Sequence, residues 1–479
     1  MVTFTPTRSP RAHQIAALAK AAKRPSFFYM MDMGTGKSKV ALDEAMELYC
    51  EGKINRILIV AGKGSYADWI NKHIPENVPA DIPVVPHLWR GGSLEKERRN
   101  LNAIMATSDI LPVLVMNIEA LGASKTAKTV ANNFVGVRTL IIVDESSKIR
   151  NIDAQRTKEM IKLGQRAAYR RALTGLAVPK NPLDLWGQFA FLGLERILGN
   201  SYFGFRARYC VLKPIFVAGS RTVQVVDGFR DLDKLQERIE PHVFRVLKSD
   251  CLDLPPKIFE RVHVPLTDEQ HRIYDDLKKK ATSEIESGVH MTTSNALARL
   301  TAMQRVVLGI ARDEAGNLHC LDSNRTEILI DVLNEMNGKV VIWCVYRHDI
   351  VVISGALEKA FPDRRVVTFY GETSLNDREA AVNAFQFGDA DYFVATTATG
   401  AFGLTLIAAS NVIFYSNAWD LELRAQAEDR VHRDGQERSI LYVDFICPGT
   451  IDEKILSVLE QKKSVAEMVQ GDKLKEWFT

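Results

Sequence analysis

Little in this chain points to disulfides, zinc or lipid. The six cysteines, at 50, 210, 251, 320, 344 and 447, stand far apart, with no Cys-x-x-Cys pair and no histidine at zinc-finger spacing. Neither a disulfide framework nor a zinc site is therefore expected. A reducing, intracellular setting fits this pattern, either the cytoplasm of a bacterium or phage-infected host or the nucleus of a eukaryote. The start, Met1-Val-Thr-Phe-Thr-Pro, lacks the basic-then-apolar pattern of a secretory signal. The uncharged stretch Tyr392–Trp419 comes nearest to a membrane span, but Thr396, Thr397, Thr399, Gly400, Gly403, Thr405, Ser410, Asn411, Ser416 and Asn417 interrupt it. It reads as strand, loop, short helix and strand buried in protein, so no membrane association is expected. One-sided charge is missing too: the formal net charge is +3, short of the basic excess that by itself marks a nucleic-acid binder.

What the chain does have is length and regular alternation. At 479 residues, 46% hydrophobic and 25% charged, it exceeds the size of a single core, and two domains are expected. Short β-rich runs at Phe27–Met31, Arg56–Val60, Val113–Met116, Thr139–Val143 and Arg170–Leu173 alternate with helix-length segments. The pattern returns at Lys339–Cys344, Arg365–Phe369, Tyr392–Thr396, Asn411–Tyr415 and Ile440–Phe445. Such alternation predicts an α/β fold of two tandem lobes, each a mostly parallel sheet flanked by helices. The adjacent prolines in Asp250-Cys-Leu-Asp-Leu-Pro-Pro-Lys257 disfavour helix, which places lobe 1 at 1–250 and lobe 2 at 251–479. A small helical and aromatic insertion is expected at about 199–228, where Tyr202, Phe203, Phe205, Tyr209 and Phe216 mix with Arg206, Arg208, Lys213 and Arg221. Packing is favoured there over a nucleic-acid face, since base stacking is one use of such rings among several. Apolar residues at helical spacing from Ile451 predict a C-terminal bracing helix over about 451–479.

Three constellations carry chemistry. Met33-Gly-Thr-Gly-Lys-Ser38 follows an apolar run and precedes a helix-compatible run, as a phosphate-cradling loop requires, although Met31 stands where the strict pattern has its first glycine. Gly34, Thr35 and Gly36 would wrap the phosphates, Lys37 would hold them and Ser38 would ligate magnesium. Leu140-Ile-Ile-Val-Asp-Glu145 ends a strand in paired carboxylates. Asp144 would hold the hydrated magnesium there, and Glu145 would orient and deprotonate the attacking water. Gln426-Ala-Glu-Asp-Arg-Val-His-Arg-Asp-Gly-Gln436 sets Arg430 and Arg433 three apart on an expected helix, suited to neutralising charge on the γ-phosphate. The expected cofactors are ATP and Mg2+.

In order and spacing these stretches resemble helicase superfamily two, and within it the Swi/Snf-like double-stranded DNA translocases, including the compact phage and annealing-helicase types. The other matching stretches are Arg11–Gln14, Ile57–Gly62 with Trp69, Val115–Leu121, Leu173–Leu176 followed by Asn181–Trp186, Val341–Tyr346, Thr399–Thr405 and Asn417–Trp419. The ending His432-Arg-Asp-Gly-Gln436 is similar to the Swi/Snf branch rather than to the RNA-unwinding branches. The resemblance implies RecA-like lobes and an ATP hydrolase that acts as a translocase or helicase on duplex or branched DNA. It would grip the backbone without reading sequence, and a monomer is expected. It further implies that Gln14 reads adenine and that Thr174, Gly403 and Gln426 couple hydrolysis to lobe movement. Lys63, Asn117 and Thr399 would lie near DNA.

Two departures stand out. Asp144-Glu-Ser-Ser147 replaces the common Asp-Glu-x-His, and Leu176-Ala177 replaces Thr-Pro. The rival readings are a slow ATP-gated DNA-binding scaffold and an RNA helicase.

Overall fold

Strand β1, Ser26–Met31, is buried at all six positions, and a strand hidden on both faces belongs inside a parallel sheet covered by helices on each side. The computed structural model describes residues 4–217, 221–286, 293–312, 317–400 and 404–470, and these divide into two units. One comprises the chain to Leu212, Val226–Asp253 and the residues from Lys462; the other comprises Lys213–Val225 and Leu254–Gln461.

In the first unit, β1 is joined by β2 (Arg56–Ala61), β3 (Val84–Leu88), β4 (Leu111–Asn117), β5 (Thr139–Asp144) and β6 (Tyr169–Thr174). Two further strands, β7 (Cys210–Val217) and β8 (Arg221–Phe229), form a small sheet of their own, most of which belongs to the second unit, and β9 (Val243–Val246) returns to the large sheet of the first. Among the described residues the large sheet has seven strands, in the order β3-β4-β2-β5-β6-β1-β9. Its pairings are parallel, with Phe28 opposite Ala172 on one side and Val243 on the other. Alternate β1 side chains feed two cores: Phe28 and Met30 pack with Trp186 and Phe189, whereas Phe27, Tyr29 and Met31 pack with Val40, Ala41 and Trp69.

The second unit repeats the scheme. Its strands are β10 (Lys257–His263), β11 (Ile310–Arg312), β12 (Leu318–Cys320), β13 (Lys339–Cys344), β14 (Arg365–Phe369), β15 (Ala390–Thr396), β16 (Ala409–Phe414) and β17 (Ile440–Ile446). Six of them form a parallel sheet in the order β10-β17-β16-β13-β15-β14, while β11 and β12 pair antiparallel. Each unit is a mostly parallel sheet flanked by helices, as the alternation predicts and as the RecA-like lobes implied by the resemblance require. No helix among the described residues is long and apolar enough to cross a membrane.

The ten expected strands are present, with ends moved by one or two residues. Sequence pattern misses β3, β9 and β10, which all lie at sheet rims. β3 contains Pro86, β9 has four residues including Arg245, and β10 carries Glu260, Arg261 and His263. Half-exposed strands of this kind show no apolar run. The insertion contains the helix Tyr202–Tyr209 followed by β7 and β8. Its aromatics are mainly packing: Phe205 and Tyr209 are fully buried, the Phe205 ring lies 5.6 Å from Trp186, and Phe203 alone of the helix aromatics is strongly exposed. The Phe216 and Arg221 side chains, Gly403 and residues 471–479 lie outside the described residues. The C-terminal helix is described as Ile451–Gln470, with Ile451, Ile455, Leu456 and Leu459 buried.

A buried ion pair pins the first sheet. Arg171 on β6, 1% exposed, donates through Nε to Glu44 Oε2 at 2.7 Å, pairs also with Oε1, and reaches the carbonyls of Arg24 and Pro25. Removing one partner strands the other charge in the core. Glu44→Ala is therefore expected to lower unfolding free energy by about 3–5 kcal/mol, measured by urea titration of tryptophan fluorescence.

A carboxyl in the second unit gives a pH signature. Burial lifts Asp349 from 3.8 to about 6, against hydrogen bonds from Tyr346 N (3.3 Å) and Ser416 Oγ (3.2 Å). Because the folded chain binds this proton more tightly than the unfolded chain does, the contribution is present in acid and is lost as pH rises through about 6. Asp349→Asn keeps an acceptor for both donors. It is expected to shrink the fall in Tm between about pH 5 and about pH 8, read by calorimetry.

Candidate active site

The phosphate loop forms where β1 runs out at the C-terminal end of the first sheet. Gly34 and Gly36 take φ of 81° and 88°, a left-handed region that costs a side chain dearly. A Cβ at Gly36 would also sit 2.2 Å from Gln14 Nε2. Gly36 caps the helix Lys37–Cys50, so Lys37 opens its first turn, where backbone N–H groups and the helix dipole favour an anion.

The Lys37 side chain is buried, and its Nζ donates to Met31 O at 2.9 Å and Asp32 O at 3.2 Å. Burial pulls its pKa below the usual lysine range, while Glu145, Asp144 and Asp32 oppose that shift. Ser38 follows, half-buried, in the same turn. Thr35 donates its hydroxyl to Asp32 O (2.7 Å) and offers its own carbonyl to His13 Nε2 (2.8 Å) and Gln14 Nε2 (3.2 Å). Gln14 Oε1 in turn accepts from Arg11 N. Both ends of the Gln14 amide are thus engaged, one of them on the phosphate loop.

Asp144 closes β5, and Glu145 follows at φ 52°, ψ 55°. A non-glycine residue in that region costs about 1–3 kcal/mol and persists where its surroundings impose it. Asp144 Oδ2 accepts from Trp69 Nε1 at 3.0 Å and Oδ1 from Glu145 N at 3.0 Å. Burial raises the Asp144 carboxyl above its usual range, with Lys37 the chief opposing charge. The Thr174 hydroxyl lies 3.4 Å from Glu145 Oε2 and 3.2 Å from Leu176 O. Its one proton serves either acceptor. The fold thus gathers Lys37, Asp144, Glu145 and Thr174, with Gln14 braced against the loop.

Spacing did not reveal the supports of this site. Trp69 falls in a recognised stretch, but its bond to Asp144 spans 75 residues. Arg245 on β9 donates through Nη1 to Asp32 Oδ1 (2.9 Å), Met30 O (3.2 Å) and Gly175 O (3.2 Å), and Lys248 N donates to Asp32 Oδ2 (3.1 Å). No local pattern relates positions 213 apart.

The residues assigned to DNA have structural partners. Asn117 Oδ1 caps the helix Ile118–Ala123 by accepting from Ala120 N at 2.8 Å. Lys63 is exposed, and its N–H donates to Glu119, which also pairs with Lys148 at 3.0 Å. Thr399 accepts from Thr396 Oγ1 at 3.1 Å.

In the second unit the two arginines are not helical, contrary to expectation. The helix is Leu421–Glu428 and turns follow it, with the Glu428 carbonyl taken by Tyr442 OH at 2.8 Å. The arginines still converge: Arg430 Nη1 and Arg433 Nη1 both donate to Leu404 O, at 3.3 and 2.8 Å, and Arg433 also donates to Thr405 Oγ1 at 3.0 Å. Burial would raise the Glu428 carboxyl, but Lys257 and Arg424 hold it down to about 2. Glu428 is thus committed to those cations rather than to Arg430 or Arg433. Gln426 is buried, and its Oε1 has no hydrogen-bond partner among the described residues.

Comparison with known proteins gives two matching family profiles, a SNF2-related domain over residues 23–309 and a helicase conserved C-terminal domain over 324–435. A Bacillus subtilis protein provisionally named an ATP-dependent helicase/translocase, YwqA, is 28% identical over 69% of this chain and 35% of its own length. Human TATA-binding protein-associated factor 172 is 27% identical over 68% of this chain and 20% of its own. The chain thus spans about a third of the first of these relatives and a fifth of the second. A solved Sulfolobus solfataricus SWI2/SNF2 ATPase core in complex with dsDNA is 22% identical. That comparison covers 98% of this chain and 95% of that one, with a TM-score of 0.42.

The Trp69 bond is testable by itself. Hydrogen bonds to charged groups contribute about 1.5–3 kcal/mol, so Trp69→Phe is expected to lower ATP turnover by roughly tenfold or more. With Asp144 as the expected magnesium ligand, the magnesium concentration for half-maximal rate should rise, as read by a magnesium titration of phosphate release.

Proposed function

Because the chain belongs to the SNF2-related family, we propose that it is an ATP-driven motor that moves on duplex or branched DNA, in branch migration or fork remodelling. The carrying observation is the gathering of Lys37, Asp144 and Glu145 beside a glycine loop that opens a helix. The cradle fits a triphosphate: an ammonium, oriented backbone N–H groups and two carboxylates are what phosphoryl transfer requires. Ser38 and Asp144 offer hard oxygen donors, and magnesium held there would neutralise phosphate charge. Glu145 positions water and takes its proton, while Thr174, in reach of that carboxylate, relays its state to the loop at Leu176.

Arg430 and Arg433 we assign to γ-phosphate charge; their shared carbonyl at Leu404 marks where both guanidinium groups already point. Gly403 and Gln426 we keep as coupling positions. Gln14 we assign to the adenine, with its phosphate-loop bond to Thr35 as the route by which that contact reports. Duplex DNA is favoured over RNA by the His432–Gln436 ending. We place the lobes at 1–250 and 251–479, with Lys63, Asn117 and Thr399 toward the DNA backbone, in a monomer working inside the cell. A second reading, a slow ATP-gated DNA scaffold, is favoured by Ser147 at the position where the family pattern has histidine.

The test is ATP turnover against duplex, forked, four-way and single-stranded DNA. Duplex or branched DNA should raise turnover, and the stimulation should fall steeply between about 50 and about 200 mM salt. Glu145→Gln and Arg433→Ala should each cost roughly a thousandfold. A parent stimulated by none of these DNAs would overturn the motor reading, and stimulation by RNA alone would reassign it.

A further inference from the structure

The family pattern puts a histidine at position 147 to link the carboxylate motif to the rest of the machinery, and this chain has none. One residue earlier, however, Ser146 donates its hydroxyl to Gln188 Oε1 at 2.8 Å. Gln188 Nε2 spends both its protons on carbonyls, Ala177 O at 2.8 Å and Asp184 O at 2.8 Å. Both side chains are fully buried.

The amide orientation is fixed by chemistry, because turning it over would set its oxygen against two carbonyl oxygens. Gln188 therefore ties Ser146, next to Glu145, to Ala177, three residues past Thr174. We infer that Gln188 is a positioning residue for hydrolysis, a link of this chain's own between the turn that carries Glu145 and the loop that carries Thr174.

Packing makes the link stiff. The helix Asp184–Leu192 presses on the 3-10 turn Ser146–Ile149 so closely that a Cβ at Gly187 would fall 2.2 Å from Ile149 O and 2.7 Å from Arg150 O. Glu145 meanwhile sits in the left-handed region at φ 52°, a state it leaves unless both neighbours are held. Asp144 is held by β5 and by Trp69, and Ser146 is held by Gln188. Releasing Ser146 frees the turn to relax and carries the Glu145 carboxylate away from its working position. Misplacement of about an ångström costs on the order of a hundredfold in rate.

This inference rests on the reading of the site as an ATP hydrolase. The experiment compares Ser146→Ala, Gln188→Met and the double variant with the parent, measuring kcat and KM for ATP without DNA alongside ATP-binding stoichiometry. Expected is a fall of about ten- to a hundredfold in kcat for each single variant, KM within about twofold, full binding stoichiometry, and a double variant no slower than the worse single, as two members of one link behave. Ser146→Ala removes a single oxygen and guards against a folding failure at Gln188. Unchanged kcat in either single variant, losses that multiply in the double, or a kcat loss matched by lost binding stoichiometry would each overturn the assignment. A parent that turns over ATP beside unaffected variants sinks this inference alone; a parent with no turnover sinks both readings.

Discussion

An ammonium held out of water sets the terms for the first unit. Lys37 is buried at the opening of its helix, and burial works against its charge, so something anionic or carbonyl-rich must surround it. The chain meets that need with Met31 O and Asp32 O as direct partners and with Asp144 and Glu145 as nearby charges. Each of these must then be fixed in turn. Asp32 is held by Arg245 and Lys248, Asp144 by Trp69, and Glu145 stays left-handed between two restrained neighbours. On the function proposed above, a phosphate chain arriving at Lys37 would take the place of the Met31 and Asp32 carbonyls. Little reorganisation is left to accompany binding.

The second unit solves a parallel problem with opposite signs. Four cationic side chains, Lys257, Arg424, Arg430 and Arg433, lie in or beside one strand–helix–turn region. Two of them are consumed structurally: Arg424 sits on Asp444 and Glu428 with its guanidinium 3.5 Å from the Phe414 ring centroid, and Lys257 completes the Glu428 pair. Arg430 and Arg433 both donate to the Leu404 carbonyl, and a hydrogen bond to a neutral oxygen is weaker than one to a charged partner.

Much of this was legible in the sequence, for a definite reason. Strands buried on both faces carry near-continuous apolar runs, so Phe27–Met31 and Leu140–Val143 announce themselves, and glycines forced to positive φ mark the loop between strand and helix. The rim strand β9 announces nothing, since it needs only a few residues and carries the charged Arg245 for a reason set by Asp32, far away in the chain. Helical spacing also misled. Arg430 and Arg433 match an i, i+3 pattern, yet the helix ends at Glu428 and the pair converges through turns. The bonds of Trp69 to Asp144, Arg245 to Asp32 and Gln188 to Ser146 were illegible because each joins residues far apart in the chain.

One rim strand has a consequence for behaviour in a crowded solution. β3 ends its sheet with Pro86 at its midpoint, and a proline offers no N–H to a further strand. Another polypeptide that tried to extend the sheet from that side would find a donor missing from the row. Growth into a shared sheet is disfavoured there by the absence of one hydrogen atom.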